Sequence, residues 1–278
     1  MRSEIFLAFT SRDICSKSSR KSEVFKNHEM NSILITGCNR GLGLGLVKSL
    51  IKHEQTPKFI FATCRSLEKA DELREISKNN SNVHVLEIDL KDFDKYQSLV
   101  EQIEGIVKDE GLNVLFNSAG ISPKSSFLGL KALKANELME VYQVNVVAPL
   151  MLTKALLPLM RKASTAKKEA PLGVQRAAIV NMSSILGSIQ SNNDGSLYHY
   201  RVTKSGLNAA TKSLSVDLRN DGIIAVNMHP GWVKTDMGGP KAPMDVEQSC
   251  DAMVKTVFNL NKSHNGGFIQ YDGRSLPW

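Results

Sequence analysis

The stretch SILITGCNRGLGLGLVKSLIK, residues 32–52, holds a strand, a turn and a helix in immediate succession. "SILIT" (32–36) is a short, largely apolar run closed by glycine, the mark of a strand buried on both faces. "LGLGLVKSLIK" carries apolar residues at helical spacing. Between them stands Gly37-x-x-x-Gly41-x-Gly43. This is not the G-x-G-x-x-G spacing, and no Gly-Lys-Ser/Thr follows as in a phosphate loop. The physical logic is still that of a phosphate cradle. Glycines permit a tight turn and close approach of the backbone, while the free N–H groups of the next helix face a pyrophosphate. The stretch reads as a dinucleotide-binding turn.

Outward from it the alternation repeats. Strands are expected at 58–64 (KFIFATC), 83–90 (VHVLEIDL), 113–120 (NVLFNSAG), 177–184 (AAIVNMSS), 224–231 (IAVNMHPG) and in GGFIQY near the end. Helices are expected at 67–78, in FDKYQSLVEQIEGIVKD, and at 134–160, 198–219 and 246–260. Continuous apolar strands alternating with amphipathic helices imply a parallel sheet buried on both faces. Right-handed crossovers then give a doubly wound, Rossmann-type α/β fold with helices on both faces. No repeat or linker divides residues 30–278, which read as one domain. Ligands of such sheets bind beyond the carboxyl ends of the strands.

The composition, 42% apolar and 23% charged, is that of a globular chain with a real core. The net charge of +7 comes from lysines and arginines interleaved with acids. Its densest basic stretch, RKASTAKKEAP (161–171), is short and lacks aromatics, so no nucleic-acid partner is expected. The four cysteines show no paired spacing for a zinc or redox motif, so no metal is expected and the compartment reads as reducing and cytoplasmic. No apolar run approaches the ~18 residues of a membrane span. Residues 1–29 are polar and contain Glu4, Asp13, Glu23 and Glu29, unlike a transit peptide. They read as a disordered extension ahead of Met30.

The second strand sharpens the cofactor. An NAD site would offer an acid there to bind both ribose hydroxyls. This chain has Arg65 instead, and Arg40 lies in the glycine turn. Two guanidinium groups without the acid suit the 2′-phosphate of NADP(H). Asp89, with Leu90 after it, ends the third strand and would accept a hydrogen bond from an adenine amine.

The stretch SLYHYRVTKSG (196–206) offers two tyrosines and a lysine. Tyr200 and Lys204 are four apart and share a helix face, whereas Tyr198 and His199 fall on other faces and read as bystanders. A tyrosine of ordinary pKa, about 10, exchanges protons poorly near neutrality. A cation at ~4 Å would stabilise tyrosinate by about 4 kcal/mol at an effective dielectric of 20, before desolvation. That would lower the pKa by up to about 3, enough for general acid–base work. Ser183 and Ser184 end the fifth strand, and Asn145 sits in mid-helix, where its propensity is weak.

Together these motifs resemble the short-chain dehydrogenase/reductase family in its shorter, single-domain branch, across residues 31–278. TGCNRGLG, with Gly37, Arg40, Gly41, Leu42 and Gly43, resembles the family's cofactor turn. NSAG, with Asn117, Ala119 and Gly120, resembles its Asn-Asn-Ala-Gly, with Ser118 replacing the second Asn. HPGWVKTDM, with Pro230, Gly231, Val233 and Thr235, resembles the segment beneath the nicotinamide. Asn145, Ser184, Tyr200 and Lys204 match the catalytic set, and the family uses the second serine of the pair. The gap between Ser184 and Tyr200 is longer than the common one by an insertion around QSNNDG.

The resemblance implies NADPH-dependent reduction of a small carbonyl compound, an aldehyde, ketone or quinone. Tyr200 would donate the proton and Ser184 would bond the same oxygen. Lys204 would bind the nicotinamide ribose and lower the tyrosine pKa, and Asn145 would hold a water toward Lys204. It also implies a homodimer through the helices at 134–160 and 198–219, while the glycines and prolines of GGPKAPMDVEQS (238–249) read as a substrate lid. The alternative is an NADP(H)-binding sensor or signalling protein with residual activity. A nucleotide-sugar epimerase is disfavoured by the short segment after Gly231.

Overall fold

The structure, a computed structural model, describes residues 30–278; the extension expected over 1–29 lies outside the described residues. β1 (Ser32–Ile35), β2 (Phe59–Cys64), β3 (Val83–Glu87), β4 (Val114–Asn117), β5 (Ala177–Met182), β6 (Ile223–His229) and β7 (Phe268–Gln270) form one sheet. All neighbours are parallel, in the order β3-β2-β1-β4-β5-β6-β7. The chain builds outward from β1 to β3, then returns to place β4 on the other side of β1. The crevice at that reversal, beyond the carboxyl ends of β1 and β4, is where such a sheet takes a ligand.

Strand alternation divides the core in two. Ile33 and Ile35 of β1 pack with Leu44, Val47 and Leu50 of α1 (Gly41–Lys52) and Met253, Val254 and Val257 of α7 (Val246–Phe258). Leu34, between them, packs on the other face with Leu99 and Ile103 of α3 (Tyr96–Val107) and Leu152 and Leu156 of α5 (Ala148–Ala166). α2 (Asp71–Asn79), α4 (Ala135–Tyr142) and α6 (Tyr198–Asp217) complete the layers.

The elements differ from expectation mainly at their ends. β3 stops at Glu87, β4 at Asn117 and β5 at Met182, because the following residues leave the ladder to line the crevice. A 3₁₀ turn at Leu67–Lys69 precedes α2, where one helix was expected. The helix expected at 134–160 is α4 and α5 joined by a π-helical turn at Gln143–Val147, and it runs on to Ala166. This helical run, Ala135–Ala166, is long and apolar enough by length and composition to cross a membrane. A search for one unbroken apolar run overlooks it. Half of its most apolar window is buried inside the fold, as in the core helix of a globular protein.

Candidate active site

The glycine turn follows β1 directly. Gly37 adopts φ +73°, and a Cβ on Gly43 would lie 2.2 Å from the Gly37 carbonyl oxygen, so only glycine lets the first turn of α1 close under the loop. The backbone N–H of Cys38 donates to Thr63 O at 2.7 Å, tying the turn to the end of β2. Ala119 N donates to Thr36 Oγ1 at 3.0 Å, bringing NSAG beside the same turn.

The second cluster is set by one face of α6. Lys204, Asn208 and Thr211, spaced four and three apart, are all buried against β5 and β6. Lys204 Nζ donates to Met182 O at 2.6 Å. Ser183 Oγ donates to Asn208 Oδ1 at 2.6 Å. The Thr211 hydroxyl accepts from Asn181 Nδ2 and donates to Asn227 Oδ1, each at 2.8 Å. Asn117 Nδ2 donates to Asn181 Oδ1 at 2.8 Å. Asn117, Asn181 and Asn227 are register partners, so they form one buried polar row across β4, β5 and β6. This row bolts α6 to the carboxyl ends of the strands.

Ser183 is thus used in holding α6, while the neighbouring Ser184 hydrogen-bonds the Tyr200 phenol. Ser184 Oγ also accepts from Leu186 N at 3.2 Å. The Lys204 ammonium lies 5.4 Å from the centre of the Tyr200 ring. Gly120 leaves open the space before it: a Cβ there would lie 3.4 Å from Asn145 Oδ1 and 3.5 Å from Lys204 Nζ. Lys204 is only 2% exposed, and among the described residues its ammonium has one acceptor, so two of its donors are unspent. The glycine turn and this donor-rich end of the crevice together fit a dinucleotide cofactor of the NADP(H) type.

The sequence profile of the short chain dehydrogenase family matches residues 31–246. The chain belongs to the short-chain dehydrogenase family. The carbonyl reductase Sniffer of D. melanogaster is 59% identical, with a TM-score of 0.88 over 90% of this chain and 100% of that one. An NADPH-bound carbonyl reductase from chicken fatty liver is 35% identical, with a TM-score of 0.85 over 90% of this chain and 95% of that one. Among curated proteins, the C-signal of Myxococcus xanthus is 35% identical over 167 residues, covering 60% of this chain and 93% of that protein. An uncharacterized oxidoreductase of Schizosaccharomyces pombe is 32% identical over 262 residues, 88% of this chain and 96% of that protein. The chain is an oxidoreductase of this short-chain dehydrogenase family.

Within the family arrangement several expectations change. The protein packed about Tyr200 pushes its phenol up to about 12, with the Ser184 hydrogen bond opposing the shift. Burial brings Lys204 down to about 8. The direction is opposite to the lowering expected from the lysine, because removal of the phenol from water disfavours tyrosinate. Asn145 also differs. Its Oδ1 accepts from Ile121 N at 2.8 Å, and its Nδ2 donates to Ile121 O at 2.9 Å and Thr203 Oγ1 at 3.2 Å. Its side chain pins the loop after β4 to α6.

On the cofactor side, Arg40 Nη1 pairs with Asp236 Oδ2 at 2.6 Å, with the two side chains 73% and 76% exposed. The guanidinium expected to meet a phosphate thus bridges the glycine turn to the segment after β6. Arg65 is exposed at the end of β2 and has no ion pair among the described residues. Asp89 Oδ1 accepts from Lys91 N at 2.9 Å, and Leu90 O accepts from Tyr96 Oη at 2.6 Å, which shapes the end of β3. Pro230 O accepts from Ser249 Oγ at 2.6 Å, Lys234 N, next to Val233, donates to Met244 O at 2.9 Å, and Thr235 Oγ1 accepts from Gly238 N at 3.0 Å. These bonds hold the loop at 238–249 beside Gly231. Sequence reasoning missed His199 and Ser126. His199 is buried, with Nδ1 3.2 Å from Ser126 Oγ. Nothing local signals the pair, because its members lie 73 residues apart. Tyr198 is 37% exposed and has no part in the Ser184–Tyr200–Lys204 cluster.

Proposed function

We propose that this chain uses NADPH to reduce a small carbonyl compound, an aldehyde, ketone or quinone, to the alcohol. The observation that carries the reading is the meeting of Ser184, Tyr200 and the buried Lys204 at the carboxyl end of β5. The bound cofactor supplies the hydride. Tyr200, whose raised pKa keeps its proton at neutral pH, gives that proton to the carbonyl oxygen. Ser184 bonds the same oxygen and orients it toward the phenol. Lys204 is a cation below its pKa of about 8 and would hold the cofactor ribose with its unspent donors. Asn145, with Ile121 and Thr203, holds the floor of the site.

Gly37, Gly41, Leu42 and Gly43 would cradle the pyrophosphate, with Arg65 on the 2′-phosphate and Asp89 and Leu90 beside the adenine. Asn117, Ala119, Gly120, Pro230, Gly231, Val233 and Thr235 would line the remainder. NADPH in the chicken relative and the carbonyl reductase activity named for it and for the Drosophila protein support the reading. A homodimer through α4, α5 and α6 and a reducing, cytoplasmic setting accompany it. Cys38, Cys64 and Cys250 are free and buried, in keeping with that setting.

The test is NADPH oxidation with an aldehyde, ketone and quinone panel. Tyr200→Phe is expected to lower kcat by about 10²–10⁴-fold while NADPH binding is kept. Near-normal turnover by this variant would sink the assignment. The resemblance to the Myxococcus C-signal favours a second reading, a cofactor-binding signalling protein. It predicts a wild-type chain that binds NADPH and shows only residual turnover across the panel.

A further inference from the structure

His199 lies directly before Tyr200, on the first turn of α6, and its side chain is 2% exposed. Its Nδ1 meets Ser126 Oγ at 3.2 Å. Its Nε2 has no hydrogen-bond partner among the described residues and stands 3.8 Å from Glu137 Oε2. Glu137 is itself held by Ser125 Oγ and by Lys134 Nζ. A bare Nε2 lone pair facing a carboxylate would be repelled, so Nε2 carries a proton toward Glu137 and Nδ1 is left to meet the Ser126 hydroxyl.

Ser126 contacts the lead-in to α6 twice. Besides the imidazole, its carbonyl oxygen accepts from Leu197 N at 3.2 Å. That lead-in is strained: Ser196 and Leu197 both lie in the left-handed region, at φ 57° and 51°, without being glycine. Such a conformation persists only where surrounding contacts over-determine it. The downstream half of α6 is fixed separately, by Lys204, Asn208 and Thr211 against the sheet.

We propose that His199 is a positioning residue for Tyr200. Through Ser126 it clamps the β4–α4 connection against the first turn of α6, directly after its strained lead-in, and so sets the phenol against Ser184. The inference rests on reading Tyr200 as the proton donor. Because Lys204 is held independently, loosening the clamp should move the phenol and spare the cofactor grip.

The experiment uses the full chain with NADPH and a quinone, and compares His199→Leu, His199→Asn, Ser126→Ala, the double variant Ser126→Ala/His199→Leu, and Tyr200→Phe. Turnover, NADPH affinity by fluorescence quenching and melting temperature are read for each. His199→Leu and Ser126→Ala should each lower kcat by about ten- to a hundredfold, with the NADPH Kd nearly unchanged. The double variant should be no worse than the worse single, since both remove one contact. His199→Asn, which keeps an acceptor near the Nδ1 position, should recover most of the turnover. Should His199→Leu fail to fold, Ser126→Ala and His199→Asn carry the test.

Wild-type kcat in Ser126→Ala beside an inactive Tyr200→Phe overturns the inference, as does a drop in melting temperature alone. Losses that multiply in the double variant, or an equal loss of NADPH affinity, overturn it too. Turnover in Tyr200→Phe equal to wild type would instead remove the proton-donor reading itself.

Discussion

Lys204 illustrates how burial and chemistry pull on one side chain. Its ammonium is removed from water and brought down to about 8, against an ordinary value of 10.5. Between those two pH values the unfolded chain holds a proton that the folded chain has released, so stability rises with pH across that window. The gain by pH 10 should reach about 2.5 kcal/mol, and Lys204→Met should flatten it. Melting temperatures of the cofactor-free protein from pH 7.5 to 10 would check this; parallel curves for the two proteins would refute it. Tyr200 acts with opposite sign. Its raised pKa keeps a proton in the folded state that the unfolded state loses, so stability falls as pH rises from 10 toward about 12. Helical spacing was enough to choose Tyr200 over Tyr198 from the sequence. The balance of burial against charge was not readable there, because it depends on every group packed around the phenol.

At the scale of elements, α6 is the part on which the site depends. Its polar face would be poor core material alone; it is satisfied by the row Asn117, Asn181 and Asn227. Thr211→Val keeps the shape and leaves the Asn181 amide and Asn227 carbonyl unpaired, at about 1–3 kcal/mol. Thr211→Ser should restore most of that, and the urea midpoints of the three proteins would show it. Equal midpoints for Val and Thr would mean the row contributes nothing to stability. The π turn at Gln143–Val147 has a similar logic, since it aims Asn145 at Ile121 and Thr203. An Asn in mid-helix hinted at a local irregularity. The extra residue in the turn left no mark of its own, because a π turn uses the same residues as the α-helix around it.

For the whole molecule, the outer faces of α4, α5 and α6 expose Met139, Tyr142, Met151, Val202 and Val216. Exposed apolar side chains on these helices are what a two-fold interface, with about 1,200–2,000 Å² of total buried surface, would cover. Light scattering is expected to return twice the chain mass of 30.6 kDa, and a monomer at working concentration would remove the dimer from the reading. The same scale governs the cofactor groove. Arg40 and Asp236 are 196 residues apart, yet they join its two lips. An exposed pair of this kind is worth about 0–1 kcal/mol, so it shapes where the guanidinium waits more than how stable the chain is.

Residue order alone determined the doubly wound sheet, the glycine turn and the helix face carrying Tyr200 and Lys204. Each of these follows from local periodicity, or from a backbone position that only glycine fills. Tertiary structure alone decided that Ser183 is taken up by Asn208, that Arg40 turns to Asp236, and that His199 is a buried link to Ser126. Those outcomes rest on partners tens to hundreds of residues away, and on the desolvation that their packing imposes.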